Sequence, residues 1–157
     1  MACLKIKKEY CLVAALFLML IFFVFFNKIS ELNIVELKYQ DIEIKGKKII
    51  SEVVSEPVEQ YRGLSFREDL CANCGMLFVF PDKEERQFVM RNMNFPLDIL
   101  FIDDDKIINI AADLPPEGSE PVNIYVSGAA VNYVLELPAG FCRENEIVVG
   151  DTVKINN

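Results

Sequence analysis

The chain has 157 residues, 16 basic and 24 acidic, a formal charge of −8, and neither histidine nor tryptophan. That length gives room for one domain of ordinary size. Without histidine there is no Ser-His-Asp triad, no Cys-His pair, no imidazole base and no His-ligated zinc, and the negative charge argues against gripping phosphate backbones.

The apolar share of 52% is high for a soluble domain, and it is unevenly placed. Residues 11–26 are sixteen consecutive apolar residues without a charge, Gly or Pro. As a helix they span ~24 Å, a borderline crossing that Tyr10 and snorkelling flanks can complete. Lys5, Lys7 and Lys8 precede the run and Lys28 follows it, which places the N-terminus in the cytoplasm. A cleaved signal would need small residues before the cut, yet the run ends Phe25-Phe26-Asn27-Lys28. A buried core helix would show a polar face, and none is present. The expectation is an uncleaved single-pass anchor in the cell membrane through residues 10–26. Residues 1–28 are then cytoplasmic flank and anchor, and residues 29–157 are the extracytoplasmic domain.

The charge divides accordingly. Residues 1–28 carry four Lys and one Glu, a net +3, which leaves −11 for residues 29–157. No nucleic-acid partner is expected of so acidic a domain.

All seven Gly and all seven Pro lie at or beyond residue 46, so the rest reads as a folded, turn-rich domain. Short apolar segments predict strands at 34–39, 49–54, 76–80, 87–90, 97–102, 106–111, 122–126, 131–137 and 152–155. The alternation Val131, Tyr133, Leu135, Leu137 reads as one buried face, with Glu136 turned to solvent. Asp103-Asp104-Asp105 reads as a hairpin turn rather than a calcium loop. A capping residue, an early Pro and a closing Gly predict a helix at 55–63, and a second follows Pro138 at 139–145. Residues 113–121, rich in Pro and Gly, read as a surface loop. The fold class is α+β, predominantly β: a small antiparallel or partly closed barrel-like domain with two short helices, plus the N-terminal transmembrane helix.

Two groups could carry chemistry. Cys71 and Cys74 form a C-x-x-C pair. Its readings are a structural disulfide, a redox pair, a metal site or free thiols, with the disulfide preferred. Metal is disfavoured because Cys142 alone could add a thiolate. Redox activation is disfavoured because Gly75 and an apolar strand follow, not a helix N-terminus. The second group is Arg91, Asn92 and Asp98, polar residues inside an apolar stretch that includes Met90. Asp98 between Leu97 and Ile99 reads as buried, with Arg91, Arg67 or Arg62 as its partner. It either fixes the fold or orients a small ligand, with Met90, Asn92, Asp98, Arg67 and Arg62 as the binding set. An Asp98–Glu136 pair could in principle serve glycoside hydrolysis. There is no nucleophile elbow, no P-loop and no dinucleotide fingerprint, so no catalytic residue and no cofactor is assigned.

An ordered motif series bears on these residues: Arg62-Gly63-Leu64-Ser65-Phe66-Arg67, Gly75-Met76-Leu77-Phe78-Val79-Phe80-Pro81, Met90-Arg91-Asn92, Pro96-Leu97-Asp98-Ile99-Leu100-Phe101-Ile102-Asp103, Tyr133-Val134-Leu135-Glu136-Leu137-Pro138-Ala139-Gly140 and Val149-Gly150-Asp151-Thr152-Val153. The series resembles the family known as domain of unknown function 192, over about residues 50–156. The resemblance implies a compact β-rich domain, often secreted or membrane-anchored, without an established reaction. It marks Arg62, Gly63, Arg67, Gly75, Met90, Asn92, Pro96, Asp98 and Gly140. Val89 stands where the family pattern usually has an aromatic, and Met93 where it has Thr. If those positions line a pocket, this one is more apolar. The expected function is a membrane-anchored external domain that binds a small molecule or an envelope protein. The alternatives are a thiol-redox or disulfide-stapled accessory protein using Cys71 and Cys74, and a non-enzymatic envelope assembly factor.

Overall fold

The computed structural model describes residues 18–23 and 38–156. The chain divides into two units, residues 1–36 and residues 37–157. In the first, residues 18–23 are helical and their side chains are exposed. The rest of the expected anchor lies outside the described residues, as do its lysine flanks and residues 29–37. Among the described residues, no helix is long and apolar enough to cross a membrane.

The second unit is predominantly β. Its elements are β1 (Lys38–Ile44), β2 (Lys47–Val54), α1 (Pro57–Arg62), β3 (Cys74–Phe88), β4 (Leu97–Asp103), β5 (Lys106–Leu114), β6 (Tyr125–Pro138), α2 (Phe141–Glu144) and β7 (Val153–Asn156). The strands form one sheet in the order β5-β4-β6-β3-β2-β1-β7. All neighbours are antiparallel except β2 and β3, whose parallel pairing requires the crossover that α1 supplies. The sheet curls into a half-barrel. Its two edges meet where Lys106 bridges Thr152 and Val153 N–H donates to the Asp105 carbonyl at 2.8 Å.

Several boundaries differ from the sequence expectation. The first strand runs Lys38–Ile44, beyond the expected 34–39, of which 34–37 lie outside the described residues. Ile42 and Ile44 alternate inward, and Lys45 (φ 50°) and Gly46 (φ 78°) make the two-residue hairpin to β2. The segments 76–80 and 87–90 merge into β3, which ends at Phe88, and 122–126 merges with 131–137 into β6. Pro81 and Gly128 suggest breaks. The long ladder absorbs them as irregularities, with register shifts between Val79 and Glu84 and between Glu85 and Gln87. The expected loop 113–121 is partly structured: Asp113 and Leu114 end β5, and Glu117 bridges Arg91.

The sheet is buried on both faces. One face carries Ile42, Ile44, Leu77, Leu100, Ile102, Leu135 and Leu137, with Phe141 and Cys142 of α2 packed on it. The other carries Val54, Met76, Phe78, Ile99, Phe101 and Val134, covered by Leu64, Met90 and Met93. Strand β4 therefore contributes to both cores, which explains the apolar run from Ile99 to Ile102.

Candidate functional site

A cavity of about 480 Å³ lies on the second face, lined by α1, the segment after it, β3 and its continuation, and Glu136 of β6. Its inner wall is aromatic. Phe78 and Phe88 meet edge to face with centroids 4.9 Å apart, and Phe101 backs Phe88 at 6.0 Å. Its rim is cationic. Arg91 lies 4.0 Å over the Tyr61 ring and donates from Nη2 to the Tyr61 carbonyl at 2.8 Å. Arg86 lies 4.0 Å over the Phe80 ring and is ion-paired to Asp82 and Glu84. Gln60 of α1 donates to the Val79 carbonyl at 2.9 Å, tying the helix to β3.

Glu136 is the unexpected member. It is 5% exposed, not turned to solvent. The period-2 reading fails because β6 is buried on both faces, so Val134 and Glu136 are covered as well as Leu135 and Leu137. Across the sheet Glu52 of β2, Met76 of β3, Glu136 and Ile99 of β4 stand in register. Glu52, also buried, takes the Arg67 guanidinium at 2.7 Å. Glu136 feels only the more distant charge of Arg67, and burial dominates, raising its carboxyl to about 8. Its Oε2 has no hydrogen-bond partner among the described residues, and neither has Arg86 Nε. Both residues line the one cavity.

Asp98 is 0% exposed and belongs to the opposite face. No arginine meets it, contrary to the sequence expectation. Its Oδ1 accepts from the Asp113 N–H at 2.8 Å and the Gly140 N–H at 3.2 Å, and its Oδ2 from the Cys142 N–H at 2.9 Å. The carboxylate thereby ties the end of β5 and the start of α2 to β4. Because Ile99 faces Glu136 while Asp98 faces Leu137, the two acids cannot act as a pair on one bond.

The other expected binding residues separate. Arg62 lines the cavity and is exposed. Met90 is buried in the second core, and its carbonyl accepts from Glu117 N–H at 3.0 Å. Asn92 occupies a left-handed position (φ 52°), donates its N–H to the Gly118 carbonyl and accepts from the Phe66 N–H. Arg67 is spent on Glu52. Cys71 and Cys74 form a disulfide, with Cα atoms 5.0 Å apart, at the entry to β3. Cys142 is free and buried, and burial pushes its thiol well above the usual range. Gln60, Arg86 and Gln87, which also line the cavity, were not singled out; no motif in the sequence marks them.

Residues 40–155 match the family called domain of unknown function 192, DUF192, described as Uncharacterized ACR. The chain belongs to that family. No curated protein matches it. The solved structures that resemble it include two at 28% and 29% identity. One is a proposed transcription regulator from Sinorhizobium meliloti, 28% identical, with a TM-score of 0.71 over 77% of this chain and 96% of that one. The other is a protein of unknown function from Novosphingobium aromaticivorans, 29% identical, with a TM-score of 0.69 over 78% of this chain and 89% of that one.

The two positions at which this DUF192 chain departs from the expected pattern, Val89 and Met93, both line the cavity. Several DUF192 positions, by contrast, serve the frame. Gly63 closes α1 with φ 49° and ψ −133°, a region open to Gly. A Cβ on Gly75 would stand 2.9 Å from both the Glu136 carbonyl and Ser51 Oγ, so β2, β3 and β6 approach closely there only with Gly.

Proposed function

We propose that this DUF192 protein is a binding domain, anchored in the cell membrane through residues 10–26 and exposed outside the cytoplasm, that takes a small molecule into the cavity beside Glu136. The observation that carries the reading is that two of the buried polar atoms without partners among the described residues, Glu136 Oε2 and Arg86 Nε, belong to residues lining one cavity. Native folds pair nearly all such atoms, and a ligand supplies partners here. The volume, about 480 Å³, falls in the range of small-molecule sites, roughly 300–1,000 Å³. The apolar walls with few polar groups fit the same class.

The placement rests on the apolar run of residues 11–26 and the lysine excess before it. The disulfide fits an oxidising compartment. Residues 38–156 contain 12 basic and 21 acidic residues, a formal −9, which argues against a nucleic-acid ligand.

Two measurements test this. Phenol titrated into the full-length chain in detergent micelles shifts the Gln60 and Gln87 side-chain amide resonances saturably, and V89W, which fills the cavity, abolishes the shifts. Equal shifts in V89W remove the cavity from the account. A periplasmic-type reporter fused after Asn157 is active outside the cytoplasm; activity inside reverses the topology.

A further inference from the structure

We infer that the ligand is a small organic carboxylate with an apolar body and a hydroxyl at its inner end, the carboxylate meeting Arg62 and Arg91 at the mouth and the hydroxyl meeting Glu136 inside. This rests on reading the cavity as a ligand site.

The mouth selects the head group. Three guanidinium groups line the cavity, and their charges are not equivalent. Asp82 and Glu84 take the terminal nitrogens of Arg86. Arg91 has no ion pair among the described residues; the Tyr61 carbonyl and ring hold it in place. Arg62 is exposed, with neither an ion pair nor a side-chain hydrogen bond among the described residues. Two uncompensated cations therefore face one exposed carboxylate, Glu85. The local sign opposes the −9 of residues 38–156. An anion repelled by the rest of the surface is drawn to this mouth, and an ammonium ion is repelled by it. A guanidinium also matches a carboxylate in shape, two N–H groups to two oxygens.

The interior selects the other end. Leu64, Phe78, Phe88, Val89 and Met93 offer the body an apolar surface. Below its raised midpoint the Glu136 carboxyl is neutral and both donates and accepts. Arg86 Nε–H adds a donor in the same wall. A group that pairs with both must accept from Arg86 Nε–H, and one that meets the whole Glu136 carboxyl also donates. A hydroxyl does both, an ammonium only donates and a second carboxylate only accepts.

The test uses the full-length chain in micelles and three probes of shared shape: 4-hydroxyphenylacetate, phenylacetate and tyramine, with phenol as the head-free reference. NMR titration gives each affinity. The expected order places 4-hydroxyphenylacetate about tenfold tighter than tyramine, the scale of one charge-assisted hydrogen bond, and about threefold tighter than phenylacetate, the scale of one between neutral groups. R62Q narrows the carboxylate-over-amine preference, and E136L removes the preference for the hydroxyl. Tyramine binding as tightly as 4-hydroxyphenylacetate overturns the inference. So does a carboxylate preference untouched by R62Q. Phenol bound with the head-group order reversed leaves the cavity a ligand site and removes this ligand class. No binding of any probe, phenol included, removes both.

Discussion

Asp98 and Glu136 stand one residue out of step across the β4–β6 ladder, so their carboxyls enter opposite cores. Both are nearly inaccessible, yet their surroundings differ in kind. Asp98 accepts from backbone N–H groups of three other residues. Glu136 keeps an oxygen without a partner among the described residues and lines a cavity. One acid belongs to the frame, and the other is available for work.

Removing the Asp98 carboxylate strands a partly buried N–H at the end of β5 and two buried N–H groups at the start of α2. D98A is expected to cost about 3 kcal/mol or more, since each unpaired buried donor costs roughly 1–3 kcal/mol. D98N keeps one acceptor oxygen and costs less. Urea denaturation of both variants measures this. A loss under about 0.5 kcal/mol in D98A, the scale of ordinary surface changes, contradicts the assignment.

Glu136 makes stability depend on pH. Its folded midpoint, about 8, lies above the ordinary carboxylate value of 4.5. Between those values the folded state binds a proton that the unfolded state has released. Its contribution is fully present below about pH 4.5 and is lost as pH rises through about 8. The facing charges are Arg67, which opposes the shift, and the Glu52 carboxylate that Arg67 neutralises. Denaturation midpoints from pH 5 to 8.5 are expected to fall for the wild type relative to E136Q. Parallel curves for the two proteins contradict this.

These two acids also show how far the sequence could be read. Asp98 between Leu97 and Ile99 is legible as buried, because a short strand of large apolar residues leaves it nowhere else to go. Its partners are not legible. They are backbone groups at residues 113, 140 and 142, brought in by a loop and a helix turn with no side-chain signature. Glu136 is misread for the complementary reason. Alternation identifies one core face, but nothing local to β6 reveals that Leu64, Met90 and Met93 cover the other. The predominantly β fold, the Asp-rich hairpin and both short helices follow from local turn chemistry. The merging of strands across Pro81 and Gly128 does not, because the ladder compensates a local break with pairing from a distant strand.

Gly75 lets β2, β3 and β6 approach closely. G75A places a methyl 2.9 Å from the Glu136 carbonyl and Ser51 Oγ. The backbone must shift, at an expected cost of about 1–3 kcal/mol. Thermal unfolding measures it, and an unchanged midpoint contradicts the close approach.

The Cys71–Cys74 bridge closes a very short loop at the entry to β3. Loop entropy gives it a modest stabilising effect, about 2 kcal/mol. C71S/C74S is expected to lose about that much and to keep phenol binding, because neither cysteine lines the cavity. Lost binding in a folded double variant would assign the pair a part in the site.

With its raised midpoint, Glu136 presents to the cavity at neutral pH a neutral carboxyl whose Oε2 has no partner among the described residues. Carbon-detected NMR of the Glu136 side-chain carboxyl, followed from pH 4 to 10 in the full-length chain, tests it most directly. The expected result is a midpoint near 8 that moves when 4-hydroxyphenylacetate binds. A midpoint near 4.5, unmoved by the probe, would contradict it.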